Sequence, residues 1–183
     1  MNLYHLSQLL QSLPEFERLI KDLQGKRQVK ARLCLPDQSL SFLAATIYGR
    51  LGKTVLLVTA HAEAARRRFE QVKLWLPEAD VPQFFPEADL LGSGSSVDPV
   101  ANAERLKVMS LLSGYKTLAE KDATPSFIMC CAASLISRSM GPARFTAGCL
   151  EITNGMSISQ SALLERMQSA GYIFEDIVEI PGL

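Results

Sequence analysis

Between Gln28 and Thr59 the chain reads strand, short loop, helix, strand, and this order limits what the rest can fold into. Val29-Lys30-Ala31-Arg32-Leu33-Cys34-Leu35 has the apolar, β-leaning content of a core strand. Ser41 to Leu51 follows helical spacing, with Leu40, Leu43, Ala44, Ile47 and Leu51 on one stripe, and Gly52 stops it. Thr54-Val55-Leu56-Leu57-Val58-Thr59 is a continuous apolar run of strand length, the kind that suits a parallel strand covered on both faces. In many α/β proteins the loop after such a first strand is a glycine-rich cradle whose backbone N–H groups hold phosphate at a helix N-terminus. Here that loop is Leu35-Pro36-Asp37-Gln38-Ser39-Leu40, with neither glycine nor lysine. The unit has the layout of a nucleotide site without its chemistry. Pro36, Asp37, Gln38 and Ser39 therefore mark a degenerate phosphate loop, and no cofactor or metal is expected.

The flanking segments extend this pattern. Residues 3–24 read as two helical pieces broken before Pro14, with Leu6, Leu9, Leu10 and Leu13 on one stripe and Phe16, Leu19, Ile20 and Leu23 on the next. His61 to Leu76 reads as a helix closed by Pro77, its apolar face made by Ala65, Phe69, Val72 and Leu76. Arg66-Arg67-Arg68 on that helix reads as a solvated face. Val81 to Pro86 is a short strand, and Glu87 to Pro99 a loop holding Gly92-Ser93-Gly94-Ser95-Ser96, flexible and polar. Val100 to Leu112 is a helix expected to bury Leu106, Met109 and Leu112 or their neighbours, with Gly114 ending it. Tyr115 to Pro125 is a polar connector, Ser126 to Cys131 the next parallel strand, and Ala132 to Ser139 a short helix. Repeated strand–helix units of this kind argue for a doubly wound, mostly parallel α/β sheet over residues 1–142.

After Gly141-Pro142 the style changes. Cys149 to Ile152 reads as a short strand, Asn154-Gly155 as a turn, Ser159 to Ala170 as a helix capped by Ser159 or Ser161, and Tyr172 to Ile180 as a strand of partial alternation. Residues 143–183 thus read as the start of a small α+β domain that is cut short.

Composition excludes several classes. The 183 residues carry equal numbers of acidic and basic side chains, so no global field favours nucleic acid or a membrane surface. No apolar run reaches the length of a membrane span, and Met1-Asn2-Leu3-Tyr4 lacks the basic start of a signal peptide. Cys34, Cys130, Cys131 and Cys149 form no CxxC pair and read as buried free thiols of a reducing cytoplasm, with Cys34 and Cys130 inside core strands.

Motif tests reinforce the reading of a non-enzyme. Gly52-Lys53-Thr54 has the tail of a phosphate loop, but Ile47 stands where the earlier glycine belongs, and a strand follows instead of a helix. His61 has no carboxylate or nucleophile at recognisable spacing. No nucleophile–histidine–acid set and no His/Cys metal spacing is visible. Glu175, Asp176 and Glu179 lie along one expected strand, where neighbours face opposite sides, so they read as surface or interface charges.

Six stretches in order resemble the N-terminal region of the bacterial transcription-repair coupling factor family, Mfd, which is itself similar to the excision-repair protein UvrB. They are Leu9-Leu10-Gln11-Ser12-Leu13-Pro14-Glu15-Phe16, Gly52 to Thr59, Phe84-Phe85-Pro86-Glu87-Ala88-Asp89, Ala103-Glu104-Arg105-Leu106, Leu163-Leu164-Glu165-Arg166-Met167 with Ser169 to Tyr172, and Ile177 to Gly182. The ordered set, more than any one piece, carries the likeness. It implies a helicase-like α/β domain, with a working phosphate loop in UvrB and a degenerate one in Mfd. The stretch Pro36 to Leu40 is degenerate in the same sense. The tyrosine-rich hairpin of UvrB has no counterpart in Glu87 to Pro99, which lacks tyrosine. The part from about Ala143 would begin the module that binds UvrA, and the family continues past the glycine matching Gly182, so the chain is expected to be a piece. The resemblance implies a non-catalytic interaction module that recruits UvrA and packs on a translocase, reaching RNA polymerase and DNA through it. Arg144, Arg166, Glu175 and Glu179 are the expected partner-binding residues. Two other readings compete: a nucleotide-binding domain using an atypical loop such as Gly92 to Ser96, and a stand-alone structural protein.

Overall fold

The structure, a computed structural model, describes residues 3–25, 28–88, 98–113, 125–150 and 152–174. It is a mixed α/β chain with, among the described residues, eight α-helices and one three-stranded parallel sheet. The strands are β1 (Val55–Thr59), β2 (Gln83–Phe85) and β3 (Phe127–Cys131), in the order β1-β3-β2. Val55 pairs with Phe127 and Thr59 with Cys131, while Gln83 pairs with Ile128 and Phe85 with Cys130. β3, in the middle, is buried at every position. None of the eight helices is long and apolar enough to cross a membrane.

The chain divides into two compact units. The first comprises Met1–Val108 and Asp122–Ser139, the second Met109–Lys121 and Met140–Leu183.

The first unit is built around α3 (Leu40–Leu51). Ala44, Ala45 and Tyr48 of this helix join the core that holds Phe84, Phe127 and Met129 of the sheet with Ala65, Val72 and Leu76. Ala65 and Val72 come from α4 (Ala62–Lys73). Leu43, with Ile47 and Leu51 beside it, packs instead on Phe16 and Ile20 of α2 (Pro14–Gln24). A helix buried on two sides needs apolar residues around more than one stripe, which is why Ala45 and Tyr48 join the expected Leu43 and Ala44. Gly52 ends α3 in the left-handed region, φ 57°, with its N–H on the Tyr48 carbonyl at 3.1 Å. It is a helix stop, as its context required. The short α1 (Ser7–Gln11) leaves Leu9 and Leu13 exposed, so only part of the leucine stripe near the start is used.

Four sequence expectations fail in this unit. Residues 29–35 form no strand: Val29, Leu33, Leu35 and Cys34 are exposed, so Cys34 is not a core thiol. The apolar content there is real, but among the described residues no strand pairs with it, and an unpaired strand has no stability of its own. β1 is an edge strand with alternating burial, Leu56 and Val58 exposed, and not a strand covered on both faces. In α5 (Pro99–Ser113), Arg105 and Val108 are buried while Leu106 and Leu112 are exposed. Finally, Arg68 of the expected solvated triad is buried.

In the second unit, α7 (Pro142–Gly148) forms where no element was expected, with Pro142 at its first turn. Cys149, Leu150 and Ile152 are not in a strand. α8 (Gln160–Ser169) begins as anticipated: the Ala162 N–H donates to the Ser159 side chain at 3.2 Å. Tyr172, Ile173 and Phe174 are exposed and not in a strand, and the rest of that expected strand, Glu175 to Ile180, lies outside the described residues. In this unit Phe145 is the one buried residue among those described. α6 (Ala132–Ile136), in the first unit, is shorter than expected.

Leu76 is wholly buried and Leu56 is 51% exposed. Leu76→Ala should lower stability by about 2–5 kcal/mol and Leu56→Ala by about 0.5 kcal/mol or less, read as urea midpoints at unchanged slope. Tyr48 supplies a pH test. Its hydroxyl donates to the Pro125 carbonyl at 2.9 Å, and burial, with the Asp80 carboxylate adding to it, holds its pKa above the ordinary value of 10.0. The folded state thus keeps this proton longer than the unfolded chain. The stability that follows is complete below about pH 10 and is lost as pH rises through the folded pKa. Tyr48→Phe should flatten the fall in stability between about pH 9 and pH 11, measured by chemical denaturation.

Candidate functional site

The expected phosphate loop folds as a single tight turn. Pro36 is extended, Asp37–Ser39 form one 3₁₀ turn, and Leu40 continues directly into α3. The first turn of α3 has no side-chain cap because it continues this 3₁₀ turn: Ser39 N–H donates to the Pro36 carbonyl at 3.0 Å and Leu40 N–H to the Asp37 carbonyl. The charge in the turn is that of Asp37, whose carboxylate pairs with the guanidinium of Arg68 from α4. The partners differ in exposure: the Arg68 side chain is 4% exposed and that of Asp37 72%. Arg68 also donates to Gln71 Oε1 at 2.9 Å, and Ser41 Oγ donates to the same oxygen at 3.1 Å. A buried guanidinium is tolerated only when its donors are matched, and here a carboxylate and an amide oxygen match them.

Arg68 was hidden by its neighbours in sequence. Arg66 and Arg67 are exposed, and a run of three basic residues reads as surface. The helical phase held the signal: Arg68 lies three residues after Ala65 and four before Val72, on the buried stripe. Gln38 is exposed in the turn and Ser39 half-buried.

A second feature lies at the carboxyl ends of the strands, where open α/β sheets bind ligands. A cavity of about 510 Å³ is bounded by Glu63, Arg66 and Arg67 on α4, Pro86 and Glu87 after β2, Asp98 before α5, and Cys131 and Ser134 at the start of α6. Arg66 lies over the Phe84 ring, 4.7 Å from its centroid. Cys131 donates its thiol proton to Glu87 Oε1 at 3.0 Å and lies 3.2 Å from Ser134 Oγ. Asp98 accepts from Val100 N at 2.9 Å and Ala101 N at 3.3 Å, capping α5. Three carboxylates face two guanidiniums, so the cavity has no cationic surplus to draw a polyanion. Burial, with Cys131 adding to it, pushes the Cys130 thiol above its ordinary pKa, which opposes thiolate chemistry there. Among the described residues no group of three His, Cys, Asp or Glu is placed to hold a metal ion.

Arg105 is a second buried cation. Nη1 donates to the Pro86 carbonyl at 2.6 Å, Nη2 to Ser139 Oγ at 3.1 Å, and the guanidinium lies 4.1 Å from the Phe85 ring centroid. Burial lowers its pKa. It fixes the turn that leaves β2, and so one wall of the cavity.

Of the expected partner-binding residues, Arg144 and Arg166 are described, and no contact joins them. Arg144 is exposed on α7. Arg166, on α8, donates to the Cys149 carbonyl at 3.4 Å. Glu175 and Glu179 lie outside the described residues, as does Gly92 to Ser96. What sequence reasoning missed in this unit is apolar: Ile152, Met156, Tyr172, Ile173 and Phe174 are all exposed large hydrophobic residues.

No protein-family model, curated protein or solved structure matches this chain.

Arg105→Met keeps the stem and removes the donors that satisfy Pro86. The loss should be about 1–3 kcal/mol, read from urea unfolding, because the carbonyl at a buried position loses its partner.

Proposed function

We propose that this chain is a non-catalytic protein-interaction module of a transcription-coupled DNA repair factor, and that its partner is UvrA. In this reading the parallel sheet and its helices are part of a doubly wound, helicase-like domain that has given up nucleotide chemistry. The observation that carries it is at the turn before α3. Where a nucleotide-binding unit presents glycine N–H groups and a lysine ahead of a helix, this chain presents the Asp37 carboxylate, already paired with Arg68. A triphosphate would meet like charge there. The ordered resemblance of the six stretches supplies the identity of the family.

The second unit is the proposed contact region. Interfaces take their energy from a few large side chains with polar neighbours that set register. Tyr172, Ile173 and Phe174 offer the first, Arg144 and Arg166 the second. Packing on the translocase part of a longer protein, and through it access to RNA polymerase and DNA, belong to the same proposal.

Calorimetric titration of the chain with purified UvrA should show saturable binding, and Phe174→Ala and Arg166→Ala should each weaken it by about 1–2 kcal/mol. A flat titration at roughly 100 µM of each protein would remove UvrA as the partner.

A further inference from the structure

We propose that the outer edge of β1 is an interface for a second copy of this chain, the two strands pairing antiparallel across a two-fold axis at Leu57. The inference concerns the first unit alone and stands whether or not the second unit binds UvrA.

The two edges of the sheet are built differently. β2 is three residues long and is flanked by Pro82 and Pro86, so it offers a foreign strand almost no ladder. Shortness and proline are common ways of closing a sheet edge to other chains. β1 is five residues long, and Val55-Leu56-Leu57-Val58-Thr59 contains no proline, glycine or charge. That edge is apolar and unprotected.

The register fixes what the edge presents. The Val55 N–H donates to the Ser126 carbonyl at 3.0 Å, on the side of β3. Backbone direction alternates along a strand, so Leu57 and Thr59 also face β3, while Leu56 and Val58 turn their N–H and C=O groups outward. The side chains of these two residues share one face of the sheet and are 51% and 42% exposed. Two outward residues spaced by two are their own complement. In an antiparallel pair centred on Leu57, Leu56 of each copy lies opposite Val58 of the other, and each such pair exchanges both N–H···O bonds. The leucine and valine side chains cover each other across the pair. Two three-stranded sheets become one continuous sheet, with β1 in its interior, the place that suits a continuous apolar run.

Charge selects the antiparallel sense. Exposed Lys53 precedes β1 and exposed Glu63 follows it. Antiparallel pairing brings the basic end of one strand to the acidic end of the other, whereas parallel pairing sets like charges side by side. The contact is small. Two strands of this length bury less than the roughly 1,200 Å² at which stable interfaces begin, so the dimer is weak and reversible.

Sedimentation velocity of the full chain from about 10 µM to about 1 mM should show a monomer passing reversibly to a dimer, with a Kd on the order of 100 µM. Leu56→Glu and Val58→Lys each change an exposed side chain and should keep the circular dichroism of the natural sequence. Each alone should weaken the dimer about tenfold or more, since a charge then faces an apolar side chain in both halves of the contact. Mixed in equal amounts, the two variants should pair with each other at least as tightly as the natural chain pairs with itself. In that pair the new carboxylate of one chain lies opposite the new ammonium of the other, which only the antiparallel register at Leu57 allows. Hydrogen exchange, which needs no variant, should slow at the Leu56 and Val58 amides as concentration rises and stay constant at Leu57. The proposal is overturned if the natural chain stays monomeric up to about 1 mM, if both single variants dimerise as it does, or if the mixed variants fail to pair. It is also overturned if the two amides are equally protected at every concentration, which assigns the edge to residues 29–35 of the same chain.

Discussion

Everything in the first unit depends on α3 being buried on two sides. Ala44, Ala45 and Tyr48 press on the sheet and α4, and Leu43 with Ile47 presses on α2. Small residues on the sheet side let the helix lie close, and Tyr48 spends its one polar atom on the Pro125 carbonyl just ahead of β3. Because α3 is held this firmly, its N-terminus is a fixed point. The turn Asp37–Ser39 and the reach of Arg68 across from α4 follow from that position.

The buried arginines show how the fold uses charge inside its core. Each is stabilised by different means: Arg68 by a carboxylate and an amide oxygen, Arg105 by a carbonyl, a hydroxyl and an aromatic face. Such contacts add less stability than their geometry suggests, since desolvation offsets most of the attraction. What they add is specificity: Arg68 ties the turn before α3 to α4, and Arg105 ties the end of β2 to α5 and to Ser139. No buried side-chain nitrogen or oxygen among the described residues is left without a partner.

The cavity at the strand ends and the turn before α3 divide what a nucleotide domain would combine. One has volume but balanced charge, the other a carboxylate already paired with Arg68. The exposed Tyr172, Ile173 and Phe174 of the second unit are where the proposed partner function resides.

Much of the secondary structure was legible from local pattern. β1, β3, α3, α4 and the capped start of α8 come from apolar period, a glycine stop at Gly52 and a cap at Ser159, and these act over a few residues. Residues 29–35 were misread, since strand content describes a side chain's preference and a strand exists only when a neighbour pairs with it. The phase of α5 was misread because leucines were taken to point inward, whereas Arg105 found partners at the end of β2 and turned Val108 in with it. The sequence by itself determined that this chain is mixed α/β, with helices and parallel strands set by local apolar period. Only the tertiary structure decided that Arg68 is inside and that Asp37 answers it. Burial of a charge is a property of the surroundings brought together by the whole chain, and no window of local sequence contains them.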